Sequence, residues 1–178
     1  MARTSEAVKW NVAGVEVAAS RRATWVALCG VSAKTKRVCV HVDDPLAGTA
    51  VTGQLVALWE RHELDGFALD PRSPSSTLVD PLKAEGMMVS LPDAAGVAKA
   101  HGMFADLLTA DRLRISGHPA LDDAVRAAAA RRLAGQDAVD RYADGGVEMA
   151  PLLAAELAVW LLGDPETAEG ITPGVWVV

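Results

Sequence analysis

The sequence predicts an α/β fold: three antiparallel strands, then parallel strands alternating with helices, joined in one mixed sheet flanked by helices. Three observations predict it. Val-rich runs divided by short polar turns fill the first third, the apolar spacing becomes helical after residue 50, and short apolar runs then alternate with capped helical segments. At 178 residues and 51% hydrophobic, the chain suits a single domain over 1–178 with its own core. Aromatics are only 4%, so Ala, Val and Leu must fill that core.

The elements follow in order. "KWNVAGVEVA", "ATWVALCGV" and "KRVCVHV" read as a meander turned at "ASRR" and "SAKT". After "DDPLAGTA", Val51, Leu55, Leu58 and Trp59 recur at helical spacing up to His62. "DGFALD" is a fourth strand ending at Asp70, which Pro71 holds extended. Ser75 or Ser76 caps a helix reaching Glu85, and "MMVSL" is a fifth strand. "PDAAGVAKAHGMFADLL" is a helix with Pro92 and Asp93 in its first turn. "HPALDDAVRAAAARRLAG" is another: Pro119 lies near its start, Asp122 and Asp123 in its first turn, Arg131 and Arg132 in its last, and Gly135 stops it. The last helix begins at Pro151, and "GVWVV" adds a short strand; 109–117 receive no element.

Composition narrows the function. A net charge of −6 and a pI near 5.2 argue against coating nucleic acid by bulk charge, but leave open nucleic acid reached through bound cations. Local basic groups at Arg21-Arg22, Lys34–Arg37, Arg112 with Arg114, and Arg131-Arg132 read first as solvated faces or helix ends. Cys29 and Cys39, without a secretion signal, read as reduced, buried thiols of a cytosolic protein. "APLLAAELAVWLLG" is too short for the ~20 residues of a bilayer span and contains Glu156, so it reads as a buried helix and no membrane is implied.

Three carboxylates stand where burial is costly: Glu16 in strand one, Asp70 ending strand four, and Glu148 before the last helix. If strands one and four are neighbours, Glu16 and Asp70 meet, and a helix start brings Glu148 to the same place. Three such acids make an oxygen-rich site for Mg²⁺ or Mn²⁺. Each also has a plain structural reading: Glu16 on an outer sheet face, Asp70 as an Asp-Pro turn residue, Glu148 as a partner of the helix dipole.

The stretches "VAGVEVAASRRATWVALCG", "DGFALDPRSPSSTLVDPL", "HPALDDAVRAAAARR" and "GGVEMAPLLAAELAVW" together resemble, in order and over most of the chain, a known family. It is the C-terminal nuclease domain of the large terminase subunit of tailed double-stranded DNA phages, a ribonuclease H-like fold. The resemblance implies metal-dependent endonucleolytic cleavage of concatemeric viral DNA during genome packaging. It implies a two-metal site, Mg²⁺ or Mn²⁺, with ions about 3.5–4 Å apart. Glu16, Asp70 and Glu148 take the catalytic and metal-binding places, with Asp144 as a fourth candidate ligand. The implied partners are double-stranded DNA, an ATPase domain or subunit of the packaging motor, the portal and the small terminase, in the host-cell cytoplasm. Arg21, Arg22 and Arg72, in loops beside the acids, are candidate DNA contacts.

The chain departs from the family in two respects. The family usually has Asp at the first and third acidic positions, where this chain has Glu16 and Glu148. There is also no G-x-x-x-x-G-K-S/T phosphate loop, so the expectation is an excised domain, a split subunit or a stand-alone relative. The Glu residues give a second reading, a weakly active or inactive ribonuclease H-like module that docks on the motor, portal or DNA. Glu156, roughly 12 Å along a helix from Glu148, is too distant to share an ion and is expected to face solvent. His41, His62, His101 and His118 lack zinc-ligand spacing, His118 reads as a helix-cap residue, and no G-x-S-x-G elbow supports a serine hydrolase.

Overall fold

The Val-rich runs become strands because each is covered on both faces, which favours continuous apolar residues over alternation. A computed structural model describes residues 8–48, 50–133 and 146–163. The order is β1 (Val8–Val17), β2 (Thr24–Ser32), β3 (Val38–Val42), α1 (Val51–His62), β4 (Gly66–Ala68), a 3₁₀ turn (Pro74–Leu78), α2 (Val79–Ala84), β5 (Val89–Ser90), α3 (Ala94–Thr109), β6 (Leu113–Gly117), α4 (Pro119–Leu133) and α5 (Ala150–Leu162). The six strands form one sheet ordered β5-β4-β1-β2-β3-β6. β1, β2 and β3 are antiparallel, while β4 runs parallel to β1, β5 to β4 and β6 to β3. The α/β class and the mixed sheet are those the sequence predicts, and the arrangement is consistent with a ribonuclease H-like fold.

β6 is a correction to the sequence reading. Leu113 and Ile115 turn to the core while Arg114 and Ser116 lie on the other face, so a two-residue period is present. The run is only five residues long and its partner β3 is distant in sequence, so this short period is a weak local signal and the pairing that makes it a strand is not local. The helix expected from Ser75 or Ser76 is a 3₁₀ turn capped by Ser73, whose hydroxyl accepts the Ser75 N–H at 3.0 Å, followed by the short α2. The proposed strand "GVWVV" and the Gly135 stop lie outside the described residues.

Two cores sandwich the sheet. Val12, Trp25, Ala27, Cys29, Val38 and Val40 pack against α3, α4 and α5, and Ala13, Val15, Val26 and Leu28 pack against α1 and α2. α5 is buried at every position from Ala150 to Val159, as a helix apolar all round must be. It lies directly on β1, where Gly14 faces the Ala154 carbonyl and the Ala158 N–H. Cys29 and Cys39 are buried thiols whose strand positions place them on opposite faces of the sheet. Burial pushes the Cys29 thiol far above its ordinary range, which makes it an inert core residue. No helix among the described residues is long and apolar enough to cross a membrane.

Candidate functional site

The parallel pairing of β1 with β4 aligns Val12 with Gly66 and Gly14 with Ala68. Extended two residues past its last pair, this register brings Glu16 level with Asp70, which follows β4 at its C-terminal end. Neighbouring strands lie about 4.8 Å apart and side chains alternate with period two, so both carboxylates belong to the face that carries Gly14 and α5. Glu16 is fully buried and Asp70 is 6% exposed. Glu16 is therefore not on an outer face.

Each acid is held by specific donors. The Ser75 hydroxyl donates to Glu16 Oε2 at 3.3 Å, and Ser75 Oγ itself accepts the Val17 N–H at 2.9 Å. Asp70 Oδ1 accepts the Arg72 N–H at 2.9 Å and Arg72 Nε at 3.2 Å. With the Ser73 N–H on the Asp70 carbonyl at 3.1 Å, this makes Asp70 the hub of the Pro71 turn. Its turn role and its place beside Glu16 coexist. Arg72 is half exposed and brings a positive charge to the carboxylate pair. Arg21 and Arg22 are exposed in the β1–β2 turn, where Arg21 adopts a left-handed backbone with φ 58°.

Glu148 has a different setting. Its Oε1 accepts the Ala150 N–H at 3.0 Å, which caps α5. It lines an open cleft of about 480 Å³ opposite Asp123 and Arg126 of α4, themselves paired at 2.8 Å. Neither Glu16 nor Asp70 lines this cleft. Asp144 lies outside the described residues. Among the described residues no three His, Cys, Asp or Glu side chains are grouped so as to hold a metal ion. The Glu16–Asp70 pair still fits a hard divalent cation, because Mg²⁺ is commonly held by one or two carboxylates with waters and substrate phosphate completing its shell.

Glu156 corrects a sequence expectation. It is 3% exposed, not solvent-facing, and its Oε1 meets His101 Nδ1 of α3 at 2.8 Å. An apolar helix surface carries the acid inward, and a partner 55 residues away makes its burial tolerable. Burial pushes the Glu156 carboxyl above its ordinary range, against the His101 hydrogen bond and charge, which pull it down. The folded chain thus retains a proton that the unfolded chain releases near pH ~4.3. That stabilisation is complete below this pH and is lost as pH rises through the raised folded value. In urea unfolding at stepped pH, wild type is expected to gain on Glu156→Gln as pH falls through that window, by up to about 1.4 kcal/mol per pH unit. A pH-independent difference would mean that Glu156 titrates alike in both states.

His118 is a cap residue, as expected: its Nδ1 accepts the Ala120 N–H at 3.1 Å, and its ring packs edge-on against Trp25 at 5.0 Å. Sequence reasoning missed the contacts of Ser75 and His101; the only signal for either was a polar residue inside a stretch destined for the core. No family model matches the chain, and no curated protein matches it.

Proposed function

We propose that this chain is a ribonuclease H-like, divalent-metal-dependent DNA endonuclease domain of the phage large-terminase kind, acting on concatemeric viral DNA during packaging. The observation that supports this reading is the parallel register of β1 on β4, which, extended two residues, brings Glu16 level with Asp70 at the C-terminal ends of the two strands. Two buried carboxylates in adjacent strands repel one another and are costly unless a cation or donors compensate them. Glu16 and Asp70 are the residues that would hold Mg²⁺ or Mn²⁺; Glu148, in its separate cleft, stands apart from them. Bound there, the ions would activate water for attack on phosphorus and stabilise the sugar oxygen that leaves. Arg72, with Arg21 and Arg22 on the neighbouring turn, would bind and orient the DNA phosphates. The partners of this reading are double-stranded DNA, the packaging ATPase, the portal and the small terminase, in the host-cell cytoplasm.

A second reading is favoured by one observation: Glu16 has no exposed surface and Asp70 already carries Arg72 as a counter-charge. This reading is a module that keeps the fold and docks on the motor, portal or DNA without cutting. Incubation with supercoiled plasmid and Mn²⁺ separates the two. Nicked and linear products support the nuclease, and intact plasmid, with the protein folded and Mn²⁺ saturating, overturns it. Glu16→Asp sharpens the comparison. Shortening the side chain withdraws the carboxylate from Ser75 by more than an ångström, and displacements of about 1 Å cost roughly a hundredfold in rate. The expected result is a nicking rate about a hundredfold below wild type, although Asp is the residue usual in the resembled family; an equal or faster rate would mean that Glu16 is not seated through Ser75.

A further inference from the structure

We infer that Ser75 is the positioning residue of this site: its hydroxyl fixes the Glu16 carboxylate and ties it to the loop that carries Asp70. The inference rests on the nuclease reading and extends it to a residue that touches neither substrate nor ion.

Ser75 has no exposed surface. Its Oγ accepts the Val17 N–H at 2.9 Å, which occupies a lone pair and directs the hydroxyl proton elsewhere. That proton is donated to Glu16 Oε2 at 3.3 Å, across 59 residues of sequence. The main chain of Ser75 is fixed in turn, because its N–H is held by the Ser73 hydroxyl and the Ser73 N–H by the Asp70 carbonyl. One series of hydrogen bonds thus runs from the end of β1, through Ser75 and Ser73, to Asp70. It ties the Glu16 carboxylate to the main chain of Asp70, and the Ser75 hydroxyl, which accepts from Val17 and donates to Glu16, is polarised by the first bond so that the second is strengthened. Polar residues that orient metal-binding carboxylates typically change metal affinity or activity by about 10–100-fold when removed.

The test uses the full chain. Mn²⁺ binding is followed by the loss of the free-ion EPR signal, and plasmid nicking is followed as a function of Mn²⁺ concentration. Ser75→Ala is expected to need about 10–100-fold more Mn²⁺ for both half-binding and half-maximal nicking, with the KM for DNA unchanged. Ser75→Thr, which keeps the hydroxyl, is expected to recover most of the loss, whereas Ser75→Val, of the same shape without it, is not. Equal Mn²⁺ affinity in wild type and Ser75→Ala overturns the inference and leaves the nuclease reading standing. Absence of Mn²⁺ binding and nicking in wild type overturns both. If the variants do not fold, the wild type decides. On Mg²⁺ addition to ¹⁵N-labelled protein, the Val17 amide resonance must shift along the binding curve, and an unmoved Val17 resonance overturns the inference.

Discussion

Asp70→Asn is expected to abolish metal-dependent nicking while leaving the protein folded. Asn preserves the shape of the side chain and an oxygen that accepts the Arg72 N–H, so the turn through Pro71 survives. What is lost is the negative charge beside Glu16. The Asp70–Arg72 ion pair, with the arginine half exposed, contributes only about 0–1 kcal/mol to stability. Loss of one group that stabilises charge in a transition state slows a reaction on the order of 10²–10³-fold, and a missing metal ligand should cost at least that much. The check is the nicking rate of supercoiled plasmid at saturating Mn²⁺ together with the thermal midpoint. A variant that nicks at the wild-type rate would remove Asp70 from the site.

Gly14→Ala is expected to damage the fold itself. A Cβ at this position would fall within hard contact of the Ala154 carbonyl oxygen and 2.7 Å from the Ala158 nitrogen. Those two atoms are the acceptor and donor positions of one helical hydrogen bond in α5, so the methyl would wedge against backbone that cannot rotate away. The alternatives are to lift α5 from β1 or to bend β1. Overpacking of this kind costs about 3 kcal/mol, the upper part of its usual range. For a chain of this size that is a fall of roughly 6–12 °C in Tm. Gly53, inside α1 with nothing within 4 Å of its would-be Cβ, is the control. Gly53→Ala should instead stabilise by about 0.5–1 kcal/mol through a lower unfolded-state entropy. Calorimetry of both variants tests the pair of signs, and an unchanged Tm in Gly14→Ala would contradict the close seating of α5.

Both predictions concern a place where the sequence is only partly legible. Local pattern reveals the Val-rich meander, the helix repeating through Leu55 and the buried α5, because each carries its own periodicity or unbroken apolar run. The isolated acids Glu16 and Asp70 were visible for the same reason, as charges where the surrounding residues demand burial. Contacts between distant segments were not visible. β6 joins the far edge of the sheet beside β3, with Leu113 and Ile115 as its only inward residues. Glu156 is reconciled with burial by His101 on another helix, and Glu16 by Ser75 in a turn after another strand. For the acid before α5 the plain reading, a partner of its own helix's dipole, is the one the structure matches: Glu148 accepts the Ala150 N–H and faces Asp123 and Arg126 across a cleft, a position that only the packing of α4 reveals.

Diffraction from crystals soaked in Mn²⁺, with data collected at the manganese edge, tests the central claim most directly. The account predicts an anomalous peak within coordination distance of carboxylate oxygens of both Glu16 and Asp70, lost in Asp70→Asn. A saturating soak that leaves this position without a peak, or that places manganese only at exposed acids elsewhere, would contradict it.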